Sequence, residues 1–420
     1  MQREQIAFVG TSDYSGHFRG KSFPAADLPA RLVSGVGLSP TNLFISAFGP
    51  IHHTPFGTKG EVVIIPDPST RVTVPFDGTP TELFFLGDVR TLEGAPFDFC
   101  PRGILRRALQ RMERETGLRL FATFEQEMNY SGAPGALMQP YELDAYRRQG
   151  AFGESLVAAL RQAGVVPDSF LAEFGVRQFE ITTTPAVGVR AADEAVITRE
   201  IAQAVAFRLG HRVSFAPLAT PDSVSNGTHI HFSFLDGDGR PMLYDEAGPS
   251  HMSALGWQFV AGILHHLPAL CAVTVPSVAS YYRLRPNRWA PTFADVADVD
   301  RATAVRICPL ASGEPARRAR QFNLEYRVAD ATASPYLALA VVVQAGLDGI
   351  RERRAVNALQ RRPLPATLPA ALDLLEATPA ASEWLGPAVL PAYVAFKRGE
   401  AKSVEGLDEA EVCRRYAEVY

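Results

Sequence analysis

Lysine is nearly missing from this 420-residue chain, occurring only at Lys21, Lys59, Lys397 and Lys402. Lys and Arg together number 41, so the positive charge is almost all guanidinium. Anion sites must therefore use planar forks, which grip phosphate and carboxylate in a bidentate way. Cysteine is sparse too. Cys100, Cys271, Cys308 and Cys413 lie far apart with no Cys-x-x-Cys pair, which argues against a disulfide framework or a structural zinc site and fits a reducing cytoplasm. No continuous run reaches the about eighteen apolar residues that span a bilayer. The longest, around Tyr336 to Val343, reads as a buried helix, and Met1-Gln2-Arg3-Glu4-Gln5 lacks the apolar core of a signal peptide. A formal charge of −4 and a pI near 6.2 give no broad electrostatic attraction to nucleic acid or an anionic membrane. Neither is expected as a partner.

The chain is longer than a single hydrophobic core usually supports, so two domains are expected. Its 47% hydrophobic and 20% charged residues suit a globular protein. The first hundred residues are rich in Gly, Pro, Ser and Thr, with short β-type runs at Val62-Val63-Ile64-Ile65 and Leu83-Phe84-Phe85-Leu86. At Pro101 the texture changes to helical spacing, with proline near the helix start. The expected division is residues 1–100 and 101–420. Asp193 to Leu209 and Ser253 to Leu267 read as amphipathic helices, and the tail from Arg361 on reads as helical.

Four short clusters carry the chemistry: Glu125 with Glu127, Glu173 with Glu180, His229 with His231, and Glu325 with Arg327. Each reads as a strand. Residues two apart on a strand share a face, so Glu125/Glu127, His229/His231 and Glu325/Arg327 project as pairs. An isolated Glu-x-Glu is ordinarily a solvated edge, and a lone His-x-His ordinarily sits in a core. Here Phe121, Phe124 and Tyr130 flank the first pair, and carboxylates beside them would suffer desolvation that a divalent cation relieves. Oxygen-rich donors with an occasional imidazole suit Mg²⁺ or Mn²⁺.

The order of these clusters, and the segments between them, resemble the catalytic domain of the glutamine synthetase family. Asn226-Gly227-Thr228-His229-Ile230-His231 is similar to its Gly-x-His-x-His segment. Ser280-Tyr281-Tyr282-Arg283-Leu284-Arg285-Pro286 with Trp289-Ala290-Pro291 is similar to its substrate loop, and Asp300-Arg301-Ala302-Thr303-Ala304-Val305-Arg306-Ile307 to its phosphate segment. Glu325-Tyr326-Arg327-Val328-Ala329-Asp330, running into Ser334-Pro335-Tyr336-Leu337-Ala338, is similar to its Glu-x-Arg-x-x-Asp and Asn-Pro-Tyr-Leu-Ala signatures.

The resemblance implies an α+β protein: an N-terminal β-grasp domain followed by a catalytic α/β barrel-like domain. Glu127, Glu173 and Glu180 would hold one metal ion, and Glu125, His229 and Glu325 another. His231 and Ser233 would lie beside ATP. Arg301, Arg306 and Arg327 would contact phosphates, with Arg306 counted on the nucleotide side as well, while Arg283, Gly227 and Trp289 would meet the acid and the nucleophile. Hexameric rings, stacked into a dodecamer, would share active sites between subunits.

Departures from the family pattern set the expected substrate. Val224-Ser225 stand where glutamine synthetases have an Asn-Gly pair that helps hold glutamate. Trp289 stands where a glutamate helps bind and deprotonate ammonium. The N-terminal stretch Phe44-Ile45-Ser46-Ala47-Phe48-Gly49 lacks the aspartate that completes that site. An ammonium pocket without anions has lost its electrostatic basis, and an indole suits an organic amine. Phe44, Phe48 or the His52-His53 pair could face the site from a neighbouring subunit. The implied activity is an ATP-dependent carboxylate–amine ligase acting through an acyl phosphate. The rivals are a true glutamine synthetase and a non-catalytic member of the fold, the latter disfavoured because all six ligand positions are kept.

Overall fold

The structure, a computed structural model, describes residues 3–76, 81–135, 139–311, 313–356 and 360–420. Six strands build the N-terminal sheet: β1 (Ile6–Ser12), β2 (Phe18–Pro24), β3 (Val36–Leu38), β4 (Val62–Pro66), β5 (Val72–Val74) and β6 (Glu82–Arg90). They lie in the order β2-β1-β6-β4-β3, with β5 also on β6, and β1 runs parallel to β6. The alternation in β4 buries Val62 and Ile64 and leaves Val63 and Ile65 half-covered, as one-sided packing of a strand requires. The helix Pro101–Thr116 follows. Proline opens it, Cys100 Sγ accepts from the Gly103 N–H at 3.4 Å, and Gly117 closes it at φ 72°.

Beyond that helix, nine strands form a second sheet that wraps into a nearly closed, barrel-like surface. Its long central strand is β7 (Arg119–Tyr130). To one side lie β9 (Gln178–Thr183) and β8 (Pro167–Ala172). To the other lie β12 (Thr228–Leu235), β16 (Leu324–Tyr326), β15 (Val305–Ile307) and β14 (Val296–Asp298). The short strands β10 (Ala186–Val187) and β11 (Val213–Ser214) also pair with β7, and β13 (Phe293–Ala294) pairs with β17 (Arg362–Pro363) in a separate ribbon.

The helix Ala254–Thr274 packs on Pro335–Arg351 through small residues. A Cβ on Gly262 would sit 2.1 Å from the Ala345 carbonyl oxygen, and one on Gly349 2.1 Å from that of Gln258, so only glycine permits this approach. At 21 residues and a mean hydropathy of 1.2, Ala254–Thr274 is long and apolar enough to cross a bilayer. Gln258, His265 and His266 interrupt it, so no unbroken apolar run marks it in the sequence. The helix is mostly buried inside the protein, so the apolar character belongs to a core helix.

The sequence placed most elements correctly and erred on a few side chains. The expected helix from Asp193 is Arg190–Arg208, largely buried rather than one-faced, and after Arg361 come four helices from Leu368 to Val419. Glu173 does not lie on a strand. It follows the last residue of β8, in the turn to β9, and Arg327 falls one residue past β16. Phe44 is fully buried against Tyr14, Phe56, Phe99 and Phe396, so it cannot face a neighbouring subunit's site.

Candidate active site

Strand register assembles the site. Opposite partners across neighbouring strands project from the same face. Glu127 pairs with Glu180 between β7 and β9, Glu125 with His229 between β7 and β12, His231 with Glu325 between β12 and β16, and Arg306 with Glu325 between β15 and β16. Four strands thus bring carboxylates and imidazoles from 200 residues of chain into one layer, and a fifth adds Arg306. His229 Nδ1 is 2.7 Å from Glu125 Oε1, 3.4 Å from Glu325 Oε1 and 3.9 Å from Glu127 Oε1. His231 Nε2 is 3.3 Å from Glu125 Oε2, and Asn323 Oδ1 lies 2.9 Å from its Nδ1.

These donors fit a divalent cation. Donor atoms of Glu125, Glu127 and His229 lie within 4.8 Å of one another, as do those of Glu125, His231 and Glu325. Electrostatics point the same way. Burial pushes the Glu127 carboxyl up to about 7, against the pull of the Gly227 N–H. Burial, then repulsion from Glu125, Glu127 and Glu173, pushes Glu180 up to about 10. A cation would relieve that repulsion. Burial and the nearby Arg327 hold His229 down to about 4, in the neutral form that ligates metal. Burial would raise Glu125, but hydrogen bonds from His229 and His231 outweigh it and hold its carboxyl well below the usual range.

Gly227 belongs to this construction. Its N–H donates to Glu127 Oε2 at 2.8 Å, and its carbonyl accepts from the Glu127 N–H at 3.2 Å. A Cβ there would lie 2.6 Å from His229 Nε2 and 2.8 Å from Arg283 Nη2, so a side chain would push both out of place.

The acidic layer divides two cavities. One, of about 490 Å³, contains Glu125, Glu127, Glu173, Glu180 and His229 together with Arg283, Arg288, Arg301, Arg327 and Trp289. The other, of about 540 Å³, shares Glu125 and Glu180 and adds Thr123, His231, Ser233, Arg320 and Asn323. The His231–Ser233 side and the Arg283–Trp289 side are therefore separate pockets meeting at the carboxylates. A larger cavity of about 660 Å³ beside the N-terminal sheet, around Phe8, Phe18 and Phe84, holds none of these groups.

The arginines differ in how free they are. Arg327 Nη1 and Arg306 Nε both bind Glu325, which is fully buried, and Arg306 lines neither cavity. Arg327 also donates from Nε to the Arg301 carbonyl at 2.9 Å. Arg283 is buried, with Nη1 on the Val328 carbonyl at 2.7 Å and Nη2 on that of Arg327 at 3.0 Å, leaving Nε without a partner. Arg301 is exposed at the cavity wall.

Several residues escaped the sequence reading. Tyr141 donates to Glu173 Oε1 at 3.1 Å, and Gln178 Nε2 donates to the Ser225 carbonyl at 2.9 Å and to Asn226 Oδ1 at 2.8 Å, fixing the turn before His229. Phe174 stacks on Trp289, with ring centroids 6.1 Å apart and planes 21° apart. Gln178 was legible as a neighbour of Glu180 on the same strand face. Phe174 gave no signal beyond following Glu173.

Family models for the glutamine synthetase N-terminal domain and the glutamine synthetase catalytic domain match residues 2–97 and 98–416. The chain is 35% identical to the gamma-glutamylpolyamine synthetase GlnA3 of Streptomyces coelicolor, covering 98% of this chain and 92% of that protein. It is 29% identical to the gamma-glutamylanilide synthase of an Acinetobacter species, over 87% and 81% of the two chains. A crystal structure described as a novel glutamine synthase homolog superposes with a TM-score of 0.95 at 40% identity, covering 100% of this chain and 99% of that one.

Proposed function

Because the chain belongs to the glutamine synthetase family, we propose that it is a ligase joining glutamate or a related acid to an organic amine in preference to ammonia. The observation that carries this reading is Trp289, stacked on Phe174 in the cavity that also contains Arg283 and Arg301. Ammonium recognition needs anions. At this wall the chain offers two aromatic rings instead.

In this reading the γ-phosphoryl group of ATP passes to the acid's carboxylate, giving ADP and an acyl phosphate. The amine nitrogen then attacks the acyl carbon, the C–O bond to phosphate breaks, and the amide, phosphate and a proton are released. Glu127, Glu173 and Glu180 would hold one divalent cation, and Glu125, His229 and Glu325 a second. Bound there, Mg²⁺ or Mn²⁺ would neutralise phosphate charge and orient the reacting groups. His231 and Ser233 line the pocket assigned to ATP. Arg301 and Arg327 stabilise charge developing on the transferring phosphoryl group. Arg306, paired with Glu325 behind the layer, positions that carboxylate. Arg283, whose side chain lines the same cavity as Arg301 and Arg327, is assigned to the acid's carboxylate.

The same reading takes residues 1–100 as a β-grasp domain, residues 101–420 as the catalytic domain, and hexameric rings, single or paired, as the assembly. A screen of acids against amines, with ATP-dependent phosphate release and the mass of the amide as readouts, tests it. Turnover confined to glutamate and ammonia would replace it with glutamine synthesis.

A further inference from the structure

Two large aromatic side chains are left open to the cavity: Trp289 is 72% exposed and Phe174 54% exposed, yet their rings lie face to face. Tyr141 meets Phe174 edge-on, with centroids 5.8 Å apart, and Val224 lines the same cavity. The backbone holds this rim in an uncommon conformation, with φ at +62° for Tyr141, +64° for Asn287 and +55° for Trp289. Non-glycine residues in the left-handed region are strained and persist where surrounding structure dictates them. An exposed apolar rim held in this way has the character of a binding surface.

The charges narrow what it binds. Apart from the carboxylates of the acidic layer and His229 beside them, the titratable side chains that set the charge of this cavity are the arginines Arg283, Arg288, Arg301 and Arg327. A polyamine attacking through one nitrogen would carry its other ammonium groups to a rim where Arg288 repels them and where, among the described lining residues, every carboxylate belongs to the acidic layer. An uncharged tail meets no such penalty and buries apolar surface against the rings. Ammonia has no tail and gains nothing there.

We propose that the Phe174–Trp289 stack selects the nucleophile and that the site takes a primary monoamine bearing an aryl or alkyl group, in preference to ammonia and to polyamines. This rests on the ligase reading above.

The experiment measures kcat/KM for benzylamine, hexylamine, ammonia and putrescine in the Mg²⁺-loaded, ATP-supplied enzyme. The variants are Phe174→Ala, Trp289→Ala and Phe174→Tyr. In the wild type benzylamine and hexylamine should lead. The benzylamine-to-ammonia ratio should fall by about tenfold in each alanine variant and be retained in Phe174→Tyr. A structural defect would lower all nucleophiles in parallel and leave that ratio unchanged, and an unchanged ratio overturns the proposal. So does a wild type that prefers putrescine or ammonia, a comparison needing no variant. Amide formation with those nucleophiles would leave the ligase reading standing. No amide with any nucleophile overturns both.

Discussion

Arg102 grips Asp193 with two parallel hydrogen bonds, Nε to Oδ1 and Nη2 to Oδ2, each 2.9 Å long. The same guanidinium reaches Asp88 at 2.9 Å and Asp67 at 2.8 Å in the N-terminal sheet, and Tyr336 donates to Asp193 Oδ1 at 2.6 Å. A single buried fork therefore ties the N-terminal strands to the helices Arg190–Arg208 and Pro335–Arg351. Replacing Arg102 with alanine strands the buried Asp193 carboxylate and removes a partner from the half-buried Asp67 and Asp88. The expected cost is about 3–5 kcal/mol, read as a fall in the denaturant midpoint, with Asp193→Asn giving a smaller fall.

Glu127 and Glu325 should fail differently. Glu127→Gln keeps the size of the side chain while removing a ligand charge, so ligation should fall by more than about a hundredfold in a protein that still assembles. Glu325→Ala leaves Arg306 and Arg327 buried without their shared partner. It should lose both activity and about 3–5 kcal/mol of stability. A melting curve and an Mg²⁺ or Mn²⁺ titration of each variant separate the two effects. Near-normal turnover of Glu127→Gln at limiting metal would remove that residue from the ligand set.

Arg283→Ala should raise KM for the acid far more than KM for ATP, because the lost group is assigned to the acid's carboxylate. It also unpairs the carbonyls of Val328 and Arg327, at about 1–3 kcal/mol of stability. Should only the ATP term move, the assignment of Arg283 to the acid is wrong.

Trp289→Glu returns negative charge to the position facing the nucleophile. The ratio of kcat/KM for ammonia to that for the best organic amine should rise, with a net loss of activity because the Phe174 stack is broken. A wild type that already favours ammonia at neutral pH would make the protein a glutamine synthetase with an unusual ammonium site.

His17 predicts a pH dependence of stability. Its ring stacks on Tyr420, with centroids 4.7 Å apart, and Nε2 has no hydrogen-bond partner. Burial, followed by Arg19, Lys397 and Arg199, lowers it to about 3 from an ordinary 6.5. The unfolded chain therefore binds the proton more readily than the folded one. The stability contribution is complete above pH 6.5 and is lost as pH falls towards 3. Between pH 8 and pH 5, His17→Phe should lose less melting temperature than the wild type. Equal losses would assign the acid sensitivity to other groups.

The sequence by itself determined the strands, their two-residue periodicity and the chemical kind of the site. Glu125 with Glu127 and His229 with His231 must share faces wherever the strands lie, because side chains alternate along an extended backbone. Scarce lysine already made the anion-binding groups guanidinium. Only the tertiary structure decided which faces meet. Register between strands distant in sequence set Glu125 opposite His229 and Glu127 opposite Glu180, and local pattern does not encode register across such separations. It turned Arg306 onto Glu325 and away from the cavities, and it drew Phe44 into the core. It also laid Phe174 against Trp289, 115 residues further along the chain. A loop residue's partners depend on where the chain folds back, so that contact had no trace in the residues on either side.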